Sequence, residues 1–247
     1  MRLKLAALRP ASPESLAWAA IWTALADAAI VLLALVVAID RWAPPQDLPW
    51  KPLRLADPPG MATALKFAKA AADPALCRAV LSEGGVTFTE EPDRTDGGCE
   101  TTNAVRLRQG VTPLSPAAPV MTCPLALGYA FWDRHALRAA ARAELGKAVA
   151  RVEHYGVYAC RNVYGRASGR PSEHASANAL DAAAFRLTDG RQVSVAAHFD
   201  GEDGRGRFLR RARDGACPWF RATLSPDYNA AHADHFHLDF GAFRICR

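Results

Sequence analysis

The sequence predicts an α+β domain, an antiparallel sheet with helices packed on one side, preceded by one N-terminal transmembrane helix. Three observations carry this. Residues 16–39 form a long apolar run, residues 61–152 carry mostly helical patterning, and the second half turns to short alternating strands. A chain of 247 residues accommodates one domain of ordinary size with appendages.

Four segments follow in order: a cytoplasmic N-terminus (1–15), the anchor (16–39), a proline-rich linker (40–60) and an extracytoplasmic domain (61–247). The run LAWAAIWTALADAAIVLLALVVAI is long enough to cross a bilayer core of roughly 30 Å as a helix. Asp27 is its one costly residue. A cleaved signal sequence and a buried soluble helix are the rival readings. The late start of the run and the bulky Ile39-Asp40-Arg41-Trp42 argue against cleavage. Arg2, Lys4 and Arg9 precede the span, so the positive-inside rule keeps the N-terminus in the cytoplasm and exports the rest to the periplasm.

After the span, the prolines of residues 42–60 read as a semi-rigid spacer lifting the domain off the membrane. Residues 61–80 read as helix, interrupted at Asp73-Pro74, where proline can start a second one. Residues 86–88 and 104–107 look like short strands around a polar loop at 93–98. Residues 125–152 form the longest helical candidate, weakened modestly by Gly128 and Gly146. Residues 183–187 and 192–198, joined through Asp189-Gly190, read as a hairpin. Residues 235–240 alternate with period two, so His235, His237 and Asp239 share one face while Phe236, Leu238 and Phe240 enter the core.

All six cysteines lie after the span, an even number that suits three disulfides in an oxidising compartment. A Cys217–Cys246 bridge would brace the His-rich segment between them. The net charge of +5 is mild and spread out. Its densest cluster, Arg205 to Arg213, reads as a solvated face or as attraction to an anionic polymer such as a cell wall. Nucleic-acid binding sits poorly with an exported, disulfide-bonded domain, and nothing fixes an oligomeric state.

Three of the seven histidines, His232, His235 and His237, fall within six residues, and His174 lies seven positions before Asp181. Imidazoles with a carboxylate suit zinc, which takes three protein ligands in catalytic sites. Seven residues of helix rise about 10.5 Å, too far for His174 and Asp181 to share one ion, and on a flat strand they face opposite sides. The pair therefore needs a turn between them, with Asp181 just inside a strand and His237 approaching from its neighbour. Ser172 and Asn178 shape that turn or touch substrate. His232 and Asp239 either orient a ligand from behind or do local structural work. His135, His154 and His198 read as structural or surface residues.

Four segments carry a resemblance. They are Tyr158-Ala-Cys160-Arg161-Asn, Ser172-Glu-His174-Ala-x-Ala-Asn178-Ala-x-Asp181, Phe208-Leu-Arg-x-x-Arg-x-Gly215-Ala-Cys217, and Pro226-Asp-Tyr-Asn229-x-x-His232-x-Asp234-His235-Phe-His237-Leu-Asp239. Together they resemble the bacterial extensin-like C-terminal domain family, and the likeness extends more weakly back to about Trp50. That family is in turn similar to zinc peptidases that cut D-alanyl bonds in peptidoglycan, which implies a zinc-peptidase-like fold. The resemblance implies Zn2+ held by His174, Asp181 and His237. It further implies Asp234 or His235 as the proton carrier and Arg161 facing the substrate or the developing oxyanion. Two departures stand out: Asp234 is a methylene shorter than the Glu of several relatives, and Ala177 takes a Gly position. The function expected is a membrane-anchored, zinc-dependent peptidase or amidase acting on peptidoglycan peptide. The alternatives are a weak or inactive zinc-containing peptidoglycan-binding module, and a structural membrane protein whose zinc only stabilises the fold.

Overall fold

The computed structural model describes residues 13–95 and 97–247. Arg2, Lys4 and Arg9, on which the orientation argument rests, lie outside the described residues, as does Asp96 of the polar loop. The first element, α1 (Pro13–Trp42), is a single helix with its apolar side chains exposed along its length. Residues Leu16–Trp42 are long and apolar enough to cross a membrane.

The proline-rich segment corrects the spacer expectation. Leu48, Leu53 and Leu55 are buried among its prolines. Lys66 Nζ donates to the Pro45 carbonyl at 2.8 Å, and His135 Nε2 lies 3.0 Å from the Leu55 carbonyl. The three leucines gain more by joining the core than the extended chain gains from solvent, so the segment lies on the domain as a strap. The break at Asp73-Pro74 is as expected. It separates α2 (Thr63–Ala72) from α3 (Pro74–Glu83), with Asp73 Oδ1 accepting from the Ala75 and Leu76 amides.

A three-stranded antiparallel sheet comes next, with β1 (Thr87–Glu91) on β2 (Ala104–Gln109). Strand β3 (Leu114–Ser115) departs to the larger sheet, and β4 (Val120–Thr122) completes the smaller one. The single long helix expected over 125–152 is instead three elements. Helix α4 (Cys123–Trp132) is buried almost all round, a π-turn spans Asp133–Leu137, and α5 (Arg138–Leu145) follows. Gly146, at φ +63°, closes α5 in the left-handed conformation, and the valines beyond it form β5 (Val149–His154).

Strand β6 (Ala179–Leu187) is the centre of the second sheet. Its hairpin partner β7 (Gln192–Ser194) is shorter than expected, because α6 (Val195–His198) takes the residues beyond Ser194. Helix α7 (Gly204–Ala216), β8 (Ala222–Leu224), β9 (Phe236–Asp239) and β10 (Ile245–Cys246) complete the chain. The sheet runs β10-β8-β9-β6-β5-β3 with β7 also on β6. Its centre is antiparallel as expected, but the outer pairs β3–β5 and β10–β8 are parallel, so the sheet is mixed.

Phe185 on β6 contacts Trp132 of α4, Phe208 of α7 and Phe236 of β9, which places those helices against the apolar face. Register shifts between Glu153 and His154 leave Ala183 as an extra residue on β6. That bulge changes the strand's phase, so Leu180 and Ala182 on one side of it and Phe185 and Leu187 on the other are all buried. Three disulfides brace the domain: Cys77–Cys123, Cys99–Cys160 and Cys217–Cys246, the last as anticipated.

Candidate metal centre

Asp181 and His237 are a directly opposed pair across β6 and β9, and Ala179 and Asp239 form the next such pair. Side chains at alternate positions share a face, so Asp181, His237 and Asp239 lie together, away from Leu180, Ala182, Phe236 and Leu238. His174 comes from a short 3-10 turn, Glu173–Ser176, whose N-cap Ser172 accepts from the His174 amide. The turn closes at Ala177, a non-glycine residue held at φ +55°, before the chain enters β6. Asn178 ties the turn down by donating from Nδ2 to Glu173 Oε2 at 3.0 Å. This is the loop-then-strand arrangement that His174 and Asp181 needed in order to meet.

One ligand atom from each of His174, Asp181 and His237 lies within 4.8 Å of the others. His174 is buried; its Nδ1 lies 3.0 Å from the Val157 carbonyl, to which it donates. Its Nε2 is then the lone-pair nitrogen. That atom is buried and makes no hydrogen bond, although Asp181 Oδ2 is 3.0 Å away. His237 lies between two carboxylates, with Nδ1 2.9 Å from Asp181 Oδ1 and Nε2 2.9 Å from Asp239 Oδ2.

The electrostatics follow from that crowding. Burial opposes the charged form of His237, but the Asp181 and Asp239 carboxylates outweigh it and raise its pKa to about 9. Burial likewise pushes the Asp181 carboxyl up. The His174 and His237 rings beside it overcome this and hold it well below the usual carboxylate range. His232, whose Nδ1 is 2.8 Å from Asn229 Oδ1, is lowered to about 4 by burial and by the neighbouring His237 and His235.

These residues fit a zinc ion. A buried imidazole nitrogen without a partner, a second imidazole backed by Asp239, and an ionised carboxylate form an N,N,O donor set. All six cysteines are in disulfides, so thiolate ligands are excluded.

The remaining anticipated residues are placed differently. Asp234 is exposed and its Oδ1 accepts from His235 Nδ1 at 2.7 Å. His235 Nε2 in turn lies 3.4 Å from Asp181 Oδ1. Asp234 thus reaches the donor cluster only through His235. Arg161 lines the same cleft, a space of about 520 Å³ that also contains His232, Tyr164 and Tyr228. Arg170 and Arg244 line it too, and neither was singled out by sequence. Among the described residues Arg161, Arg170 and Arg244 make no ion pair, and the Arg170 guanidinium sits 5.3 Å from the Phe243 ring centre. Isolated arginines in loops carry no pattern that a single sequence exposes.

A family model described as "Extensin-like protein C-terminus" matches residues 75–247. No curated protein and no solved structure matches the chain. The matched region contains all six cysteines, the donor cluster and Arg161, and the chain belongs to the extensin-like protein C-terminus family.

Proposed function

We propose that this protein is a zinc-dependent peptidase or amidase that acts on peptidoglycan peptide, anchored in the inner membrane by α1 with its disulfide-bonded domain in the periplasm. The observation that carries the reading is the buried, unpartnered Nε2 of His174 beside Asp181 and His237, in a cleft also lined by Arg161, Arg170 and Arg244. His174, Asp181 and His237 would hold the ion. When bound, zinc acidifies a water molecule and polarises a carbonyl.

The chain's own residues supply the rest. The Val157 carbonyl and Asp239 fix the tautomers and orientations of the two imidazole ligands. His235, oriented by Asp234, carries a proton at Nε2 between the attacking water and the leaving amine. Arg161 faces the carboxylate or the developing oxyanion of the peptide.

One observation favours a second reading, a zinc-containing binding module with weak or no turnover: Asp234 is exposed and its Oδ1 accepts from His235, so it does not itself stand free as the base beside the donors. Digestion of purified peptidoglycan by the full chain, followed by product mass analysis, separates the two. Released peptide that disappears with chelator and in His235→Ala, and falls less in Asp234→Ala, supports the peptidase. Tight sedimentation with peptidoglycan and no product supports the module.

A further inference from the structure

The end of α1 is not free of the domain. Asp40, two residues before the helix ends, accepts from Trp50 Nε1 at 2.6 Å and pairs with Lys51 Nζ at 2.8 Å. The chain therefore doubles back, and the Trp50 indole lies beside the last turn of the helix. The apolar run of 16–39 ends just before Asp40, so this clasp sits where a spanning helix enters the headgroup layer.

The strap carries the same level further. Met61 N donates to Asp47 Oδ1 at 2.7 Å and Ala62 N to the Gln46 carbonyl at 3.2 Å, which brings the start of α2 within a few residues of the span. Trp42, Trp50, Met61 and Leu65 are 80%, 58%, 87% and 64% exposed, a density of large apolar side chains that water does not favour. Arg41, next to Trp42, and Lys69, one turn beyond Leu65 on α2, are exposed and make no ion pair among the described residues. Tryptophan beside apolar side chains and unpaired cations is the composition of a membrane–water interface.

We propose that Trp50, Met61 and Leu65 form a docking surface for the outer face of the bilayer that α1 crosses, so that the domain lies on the membrane. This inference rests on the reading of α1 as an anchor. It is continuous with that anchor through the Asp40 clasp, and the headgroup layer of the same membrane is the occupant.

The test uses the full chain in vesicles of phosphatidylethanolamine and phosphatidylglycerol, with a nitroxide on single added cysteines. The sites are Val31→Cys in α1, Met61→Cys and Leu65→Cys on the surface, and Asp189→Cys in the exposed turn of the β6–β7 hairpin. Collision with lipid-soluble oxygen is compared with collision with an aqueous nickel chelate. The proposal expects the oxygen-to-nickel ratio at 61 and 65 to exceed that at 189 and to lie below that at 31. A lipid-like ratio at 31 with 61 and 65 equal to 189 overturns the docking and leaves the anchor standing. A water-like ratio at 31 overturns both.

Discussion

Asp239 bonds His237 through the ring nitrogen that does not face Asp181, and so decides which lone pair is left for an ion. Partners of this kind hold the ring's tautomer and raise its basicity, and their loss typically weakens metal binding by about 10–100-fold. Asp239→Ala should therefore weaken zinc binding by about that factor while the protein still folds, as read by competition with a fluorescent chelator; unchanged affinity would show that His237 needs no such support. The donors themselves were legible in the sequence, since spacing demanded a turn after His174 and strand parity put His237 and Asp239 on one face. Their supports were less so. The carbonyl of Val157 fixes His174 from a loop, and a backbone acceptor leaves no mark on residue type.

Between α4 and α5 the helix widens into a π-turn around Asp133, and that carboxylate is almost fully buried. It accepts from the Thr112 amide and hydroxyl, at 3.0 and 2.6 Å, and from Arg138 Nη2 at 2.6 Å. Removing the carboxylate leaves the buried Thr112 amide and hydroxyl without their acceptor, so Asp133→Ala should cost about 2 kcal/mol in denaturant unfolding. A loss near zero would mean the π-turn holds without the carboxylate. The adjoining His135 gives this region a pH dependence. Burial lowers its pKa against the opposing bond to Leu55, and burial lowers that of His154 despite its bond to Pro116. With folded pKa values below the unfolded value of about 6.5, the unfolded chain binds more protons in the window beneath it. The stability contributed is thus complete above that pH and lost as pH falls. The melting temperature of the unmutated chain should fall more between pH 7 and pH 5 than that of His135→Gln; an equal change would discount His135. At this scale the sequence shows the paired helices α2 and α3 and the β6–β7 hairpin, but it reads most of β5 as the end of a helix and misses the joints. A π-turn held by one aspartate and a bulge at Ala183 depend on distant partners, which local periodicity does not register.

The whole molecule joins an apolar helix, a strap and a domain cross-linked three times. The cysteine number announced the disulfides, but which residues pair became visible only with the fold. Cys99–Cys160 is the instructive case, because it ties the polar loop after β1 to the residue before Arg161 and so braces the cleft. Proline content misdirected the reading of residues 42–60, since three leucines outweigh the stiffness of the prolines between them. The donor cluster survives that correction intact, because both strands that carry it belong to the central antiparallel part of the sheet. The most direct test is metal analysis of the full chain, purified without chelator and compared with His174→Ala and His237→Ala. We expect one zinc per unmutated chain and none in either variant, with the variants still folded by far-ultraviolet circular dichroism. An unmutated protein that holds no zinc, even after dialysis against it, would rule out a zinc site at His174, Asp181 and His237.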